Sequence, residues 1–273
     1  MNHSRLTFTT LLIAAGALLA CAGAANAGQR CDAAPPTPQA IARGLDLAQR
    51  TADTLDAEHQ RHGTRVVLLA RAGQDLTRYG QHFSHVGWAY KTAQGPWRVV
   101  HKLNECGADQ SIITRQGLGE FFLDDLWRHE AAWVPPAPDL QDALWKLLQD
   151  NRRVPVLHQR RYSMVSYAWG TRYQQSNQWA IETLALAAEP QVQRREQAQA
   201  WLRLKDYRPA TLRIGALTRL GGRMTAGNIA FDDHPNAQRF ADRIETVTAD
   251  SVLDWLARLP AAGGVQRVEV SAP

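Results

Sequence analysis

Cysteine is scarce in this chain, with three residues in 273, Cys21, Cys31 and Cys106. Their spacing matches no structural zinc motif. No stretch combines a dense Lys/Arg cluster with interleaved aromatic residues, which argues against nucleic acid as a partner. Internal repeats and low-complexity segments are absent. Long hydrophobic runs are absent too, apart from Leu6–Ala20, which is too short to cross a bilayer. No membrane span is therefore expected in the mature chain, and nothing in the sequence calls for a cofactor.

That short run has a different meaning. Arg5 precedes it, small residues follow, and Ala25-Asn26-Ala27 fits a signal-peptidase site. Residues 1–27 are expected to be a secretory signal, and the mature protein to be periplasmic or secreted. A lipoprotein anchored at Cys21 fits less well, because Leu18-Leu19-Ala20-Cys21 is a poor lipobox. Arg5 is the only charged side chain in the signal, so its loss lowers the formal charge from +5 to +4. A weak attraction to anionic envelope polymers is allowed, and the expected partner is a cell-envelope component or a small ligand. Two cysteines remain in the exported chain. A Cys31–Cys106 disulfide is expected, with two free thiols as the other reading. With 45% apolar and 21% charged residues over the full sequence, the chain has the balance of a soluble protein with a core. Residues 28–205 read as one α+β domain and 206–273 as its extension or a small subdomain.

Taken in order, Thr37-Pro38 starts a helix that runs to about His62, with Ile41, Leu45, Ala48, Ala52 and Leu55 on one face. Val66–Ala70 is a continuous apolar run and reads as a buried strand. His85–Tyr90 and Trp97–His101 read as a hairpin turned by Gln94-Gly95-Pro96. Ser111–Thr114 is a further strand candidate, and Gly117–Trp127 a helix. Helices follow over Asp139–Asp150, from Ser176-Asn177 to Pro190, and over Val192–Leu204. Strands are expected at Tyr162–Tyr167, Thr211–Leu217, Asn228–Phe231 and Glu245–Thr248, with a turn at Gly221-Gly222. Asp250 is expected to cap a last helix ending near Leu259. This order predicts an α+β fold with an antiparallel sheet.

Three features bear on chemistry. The hairpin carries His85 and His101, and Ser176 stands at a helix start, where the dipole favours an anion. A nucleophile, a base and a group that orients the base make up a hydrolase triad. Equally, serine is an ordinary helix cap, and strand-edge histidines satisfy themselves locally. Asp232-Asp233-His234 offers metal-binding residue types, but a turn before Pro235 explains the motif more simply, since adjacent strand residues point apart. Nine tryptophans belong mainly to the core, and a few, such as Trp88 and Trp179, could line a groove.

The stretches ARAGQDLTRYGQHFSHVGWA, WRVVHKLNECG, QGLGEFFLDDL, YQQSNQWAIETLA and IAFDDHP resemble a family of exported proteobacterial proteins known only as a domain of unknown function. Over about residues 65–189, Ser84-His85-Val86-Gly87 followed by Val99-Val100-His101 also resembles the histidine half of NlpC-type, papain-like enzymes in their circularly permuted form. That resemblance implies a papain-like α+β fold, His85 as general base, His101 as its orienter, and a nucleophile at Ser176, with Asn177 contributing to an oxyanion site. The family's cysteine is replaced by serine, a far weaker nucleophile at neutral pH. Two functions follow as expectations. One is a non-catalytic binding or scaffold module of papain-like shape. The other is a serine-type hydrolase or acyltransferase acting on peptide, amide or acyl bonds.

Overall fold

The structure, a computed structural model, describes residues 35–271 except 106, 107, 125 and 226. The residues expected to form a signal, Cys21 and the expected Cys31–Cys106 pair lie outside the described residues. Helix α1, Pro38–His62, is capped by the Thr37 hydroxyl and ends at Gly63, whose φ of 70° is the left-handed conformation that glycine adopts without strain. Its buried side, Leu47, Ala48, Thr51 and Leu55, rests on the sheet.

The main sheet has six strands, all antiparallel: β1 Val66–Arg71, β2 His85–Lys91, β3 Trp97–Asn104, β4 Ser111–Gly117, β5 Glu130–Val134 and β8 Gln266–Glu269, in the order β4-β3-β2-β1-β5-β8. Every residue of β1 is buried, as its unbroken apolar run requires, because both faces of the sheet are covered. One face meets α1 and α2 (Leu118–Phe122) through Val67, Leu69, Ala89, Val99 and Trp133. The other face presents Val66, Leu68, Val86, Trp88 and Val100 to α3 (Pro138–Gln149), α4 (Ser176–Ala188) and α8 (Ala249–Ala257). The alternation of side chains along each strand sorts these two sets.

Helix α4 is buried along nearly all its length, from Ser176 to Leu186. It carries one charge, Glu182, at 0% exposure. Arg195 of α5 (Arg195–Leu204) answers it through Nε and Nη2 at 2.7 and 3.1 Å, and Gln174 and Gln199 complete its shell at 2.6 and 2.9 Å. A buried carboxylate survives only with such a set of partners.

A smaller unit sits beside the sheet. Strands β6 (Ala210–Arg213) and β7 (Arg243–Thr246) form a two-stranded ribbon, joined by α6 (Ala216–Thr225) and α7 (Asn236–Arg239). Leu212, Ile214, Phe231 and Ile244 make its core. The chain then returns through α8 and β8 into the main sheet, so the C-terminal part is woven into the principal core.

Several local expectations are corrected. The helix read over Gly117–Trp127 is only five residues long, because the Leu123 N–H turns back to the Gly119 and Glu120 carbonyls. Tyr162–Tyr167 and Asn228–Phe231 are not strands. They are irregular segments held together by the Ser163 hydroxyl, which bonds Ala230 N and O, and by Met164 N to Asn228 O. Gly221-Gly222 lies within α6 rather than in a turn, and the cap of α8 is Thr248. Strands β5 and β8 add to the sheet beyond what the sequence suggested.

Candidate functional site

The two histidines come together as the hairpin register demands. His85 opens β2 and His101 lies in β3, both on the face that carries Ala89 and Val99. Between them Gly87 has no side chain. A Cβ there would lie 2.7 Å from Val99 Cγ1 and 3.0 Å from His101 Cβ, so glycine is what lets the rings meet. His85 Nε2 and His101 Nδ1 are 2.8 Å apart, and His101 Nε2 is 2.7 Å from Gln116 Oε1 on β4.

This chain of contacts fixes the protons. The Gln116 carbonyl oxygen accepts, so His101 carries its proton on Nε2. Its Nδ1 is then a bare acceptor and takes the Nε2–H of His85. The remaining nitrogen, His85 Nδ1, is left as a lone pair with no partner among the described residues. Burial, reinforced by the nearby Arg71 cation, lowers the His101 pKa to about 3. Burial, Arg71 and His101 push His85 well below the usual histidine value. Both rings are therefore neutral at neutral pH.

Arg71 is paired with His85 across β1 and β2 and is 3% exposed. Its guanidinium hydrogen-bonds the Asp124 carboxylate and the Phe121 carbonyl, and lies 4.7 Å from the centre of the Phe121 ring. Burial lowers its pKa while Asp124 opposes that shift. Neither residue stood out in the sequence. Arg71 merely ends an apolar run, and Asp124 is one acid of Asp124-Asp125. The signal that could have found Arg71 is a cation at the close of a strand otherwise buried on both faces.

Ser176 is the first residue of α4, and Gln175, not Ser176, is the cap, its side chain accepting from Asn177 N at 3.2 Å. The Ser176 hydroxyl and N–H both meet the Tyr162 hydroxyl, whose pKa burial raises. No hydrogen bond joins Ser176 to His85 among the described residues. Asn177 is a tether: Oδ1 accepts from Val86 N at 3.0 Å, and Nδ2 donates to Ser84 O and Val247 O at 3.3 and 3.4 Å. It clamps the start of α4 beside His85, but its own amide donors are committed to the protein.

Ser176, His85 and Arg71 nevertheless line one cavity of about 690 Å³. Its polar end also holds Asn104, Asp124 and Tyr162. Its apolar end is built by the smaller unit, from Leu212, Ile214, Ile229 and Phe231. The mixture of a large apolar wall and a few convergent polar groups is the usual make-up of a small-molecule site. Of the Asp232-Asp233-His234 side chains, Asp233 and His234 meet, with Oδ1 and Nδ1 3.1 Å apart, while Asp232 turns away. Asp232 pairs with Arg172 at 2.8 Å, Asp233 accepts from Tyr167 N at 2.8 Å, and His234 packs near the Tyr167 and Phe231 rings. No cluster of potential metal ligands occurs among the described residues. Of the tryptophans named above, Trp88 and Trp179 are both fully buried core residues.

No curated protein and no solved structure matches the chain. Residues 58–256, which span every element of the cavity, match the family described as an uncharacterized protein conserved in bacteria (DUF2145), and the chain belongs to that family.

Proposed function

We propose that this is an envelope-located binding protein on a papain-like frame of the permuted NlpC type, and that its ligand is a small amphiphile. The observation that carries this reading is the two-ended cavity. Its apolar wall takes a hydrocarbon or ring portion, and neutral His85, Tyr162 and Ser176 take a polar head by hydrogen bonding. The Ser176 hydroxyl is turned to Tyr162 and the helix-start N–H groups are occupied, so the residues at the catalytic places of the frame serve recognition. The location rests on the signal-like residues 1–27, and the frame on the histidine strands and the helix-start serine.

The test uses a fluorescent amphiphile, dansyl-undecanoic acid, titrated into the mature protein. Saturable one-to-one binding is expected, weakened but not abolished in Ser176→Ala and His85→Ala. Gly222→Phe should weaken it by roughly tenfold or more, since Gly222 lines the cavity and an added Cβ would touch only Ile229 side-chain carbons at 3.5 and 3.6 Å. Absence of saturable binding, or equal binding by Gly222→Phe, defeats the reading.

One observation favours hydrolysis instead, namely the bare Nδ1 of His85 held by His101 and Gln116. If Ser176 leaves Tyr162, its Oγ would attack a carbonyl while His85 Nδ1 takes its proton. His85 would return that proton to the leaving group, and water would then release the acyl-enzyme. A fluorophosphonate probe that labels the wild type but not Ser176→Ala would establish this second reading.

A further inference from the structure

Among the large apolar side chains exposed on the described residues, four are more than half exposed: Leu204 at 81%, Leu217 at 85%, Leu220 at 57% and Phe240 at 71%. Three of the four belong to one corner of the smaller unit. Leu217 and Leu220 share one side of α6, three residues apart. The start of α6 is clamped to the 239–243 turn. Arg219 Nη1 donates to Asp242 Oδ1 at 2.6 Å and also to the Ile214 carbonyl, while Ile214 N donates to Asp242 O at 3.0 Å. Phe240 sits on that turn, two residues before Asp242.

The charges around these apolar groups share one sign. Arg213 and Arg243 are directly opposite each other across β6 and β7, and both are exposed. Neither pairs with a carboxylate among the described residues. Like charges in opposed strand positions repel, so this pair is not there to stabilise the ribbon. Arg239 adds a third cation, 4.9 Å above the Phe240 ring. Over residues 213–243 the sequence holds five arginines against three aspartates, and Asp242 and Asp232 are already paired with Arg219 and Arg172.

We infer that this corner docks on an anionic lipid bilayer. Exposed leucines and a phenylalanine on the same small unit as the Arg213/Arg243 pair and Arg239 form the pattern of a surface helix that inserts its apolar side among acyl chains while cations hold anionic headgroups. The occupant is a bilayer rather than a second copy of the chain, because the unpaired arginines would meet themselves across a symmetric interface. The opposite flank of α6, Thr218 and Gly222, lines the cavity. Docking therefore brings the cavity wall down to the membrane surface. The inference stands apart from the binding reading above, since a filled or empty cavity leaves this surface unchanged.

The test is co-sedimentation of the mature protein with vesicles of phosphatidylglycerol and phosphatidylcholine in equal parts, beside vesicles of phosphatidylcholine alone. Strong partition to the anionic vesicles, weakened by salt, is expected. Arg213→Glu/Arg243→Glu should lower the partition coefficient by about 30-fold or more, the effect of removing two surface cations. Leu217→Ser/Leu220→Ser should lower it by roughly tenfold or more on the same vesicles. Both pairs are exposed, and unchanged circular dichroism melting shows that the variants fold. Equal partition of wild type and variants, or no partition to anionic vesicles, overturns the inference. So does light scattering that shows a wild-type dimer lost in Leu217→Ser/Leu220→Ser.

Discussion

The imidazoles of His85 and His101 meet with 2.8 Å between Nε2 and Nδ1 and their planes 74° apart. Two neutral rings in this arrangement share one N–H···N hydrogen bond and resist taking up a charge. Protonating either would put a cation beside the buried Arg71.

Stability should therefore depend on pH in a definite direction. The unfolded chain takes up a proton at His101 near pH 6.5, whereas the folded ring resists to about pH 3. The folded pKa is depressed, so the stabilisation is fully present above pH 6.5 and is lost as pH falls from there towards 3. The effect reaches on the order of 4 kcal/mol at the acid end. Urea unfolding at pH 7 and pH 4 should show a large drop for wild type and a clearly smaller one for His101→Gln. Equal drops would show that other groups govern acid unfolding.

Arg71→Met should raise the His85 pKa. The substitution removes a nearby cation that disfavours the imidazolium and leaves the Asp124 carboxylate close by, and both changes favour protonation. NMR titration of the His85 ring protons measures the shift. An unchanged or lower pKa would mean that burial alone sets it.

Gly87→Ala should destabilise the protein by about 1–3 kcal/mol, the usual range for overpacking. The added methyl meets Val99 and His101 side chains at 2.7 and 3.0 Å and the Val100 carbonyl at 3.2 Å. Denaturant unfolding at pH 7 reads the change. A neutral result would show that β2 and β3 separate without strain.

Glu182→Leu leaves the Arg195 guanidinium buried without its carboxylate and should cost about 3–5 kcal/mol. The double variant Glu182→Leu/Arg195→Met should recover most of that loss, because an apolar pair of similar volume needs no partners. Thermal melting of the single and double variants separates the two cases. A double variant no better than the single would place the damage in Gln174, Gln199 and the Gly170, Thr171 and Tyr173 carbonyls that Arg195 serves.

Much of this architecture was legible in the sequence. The cap at Thr37, the unbroken run of β1 and the hairpin around Gly95 follow from local rules, and the structure keeps them within a few residues. The meeting of His85 with His101 was legible as well, because antiparallel pairing places it. The third member, Gln116, was not, since its role depends on the register of β4 against β3. Strand β5 was hidden because Glu130-Ala131-Ala132-Trp133-Val134 has no alternation and low strand propensity, and burial between β1 and β8 decides it. Tyr162–Tyr167 misled in the opposite sense. Its aromatic and β-branched residues suit a strand, but side-chain and loop partners take its backbone groups. Arg71 was only half legible: its place at the close of a buried strand could be read, but not its partner Asp124, more than fifty positions away in the chain.

Strand β8 has a consequence for behaviour in solution. Three of its four residues, Gln266, Arg267 and Glu269, are exposed, and only Val268 is buried. Behind it lies Ala131-Ala132-Trp133-Val134, a wholly buried apolar strand. Stripped of β8, that strand would offer open backbone groups and an apolar edge to any neighbouring chain. Four residues, three of them polar, thus act as a guard against aggregation, and a protein clipped before Gln266 should lose solubility well before it loses its histidine site.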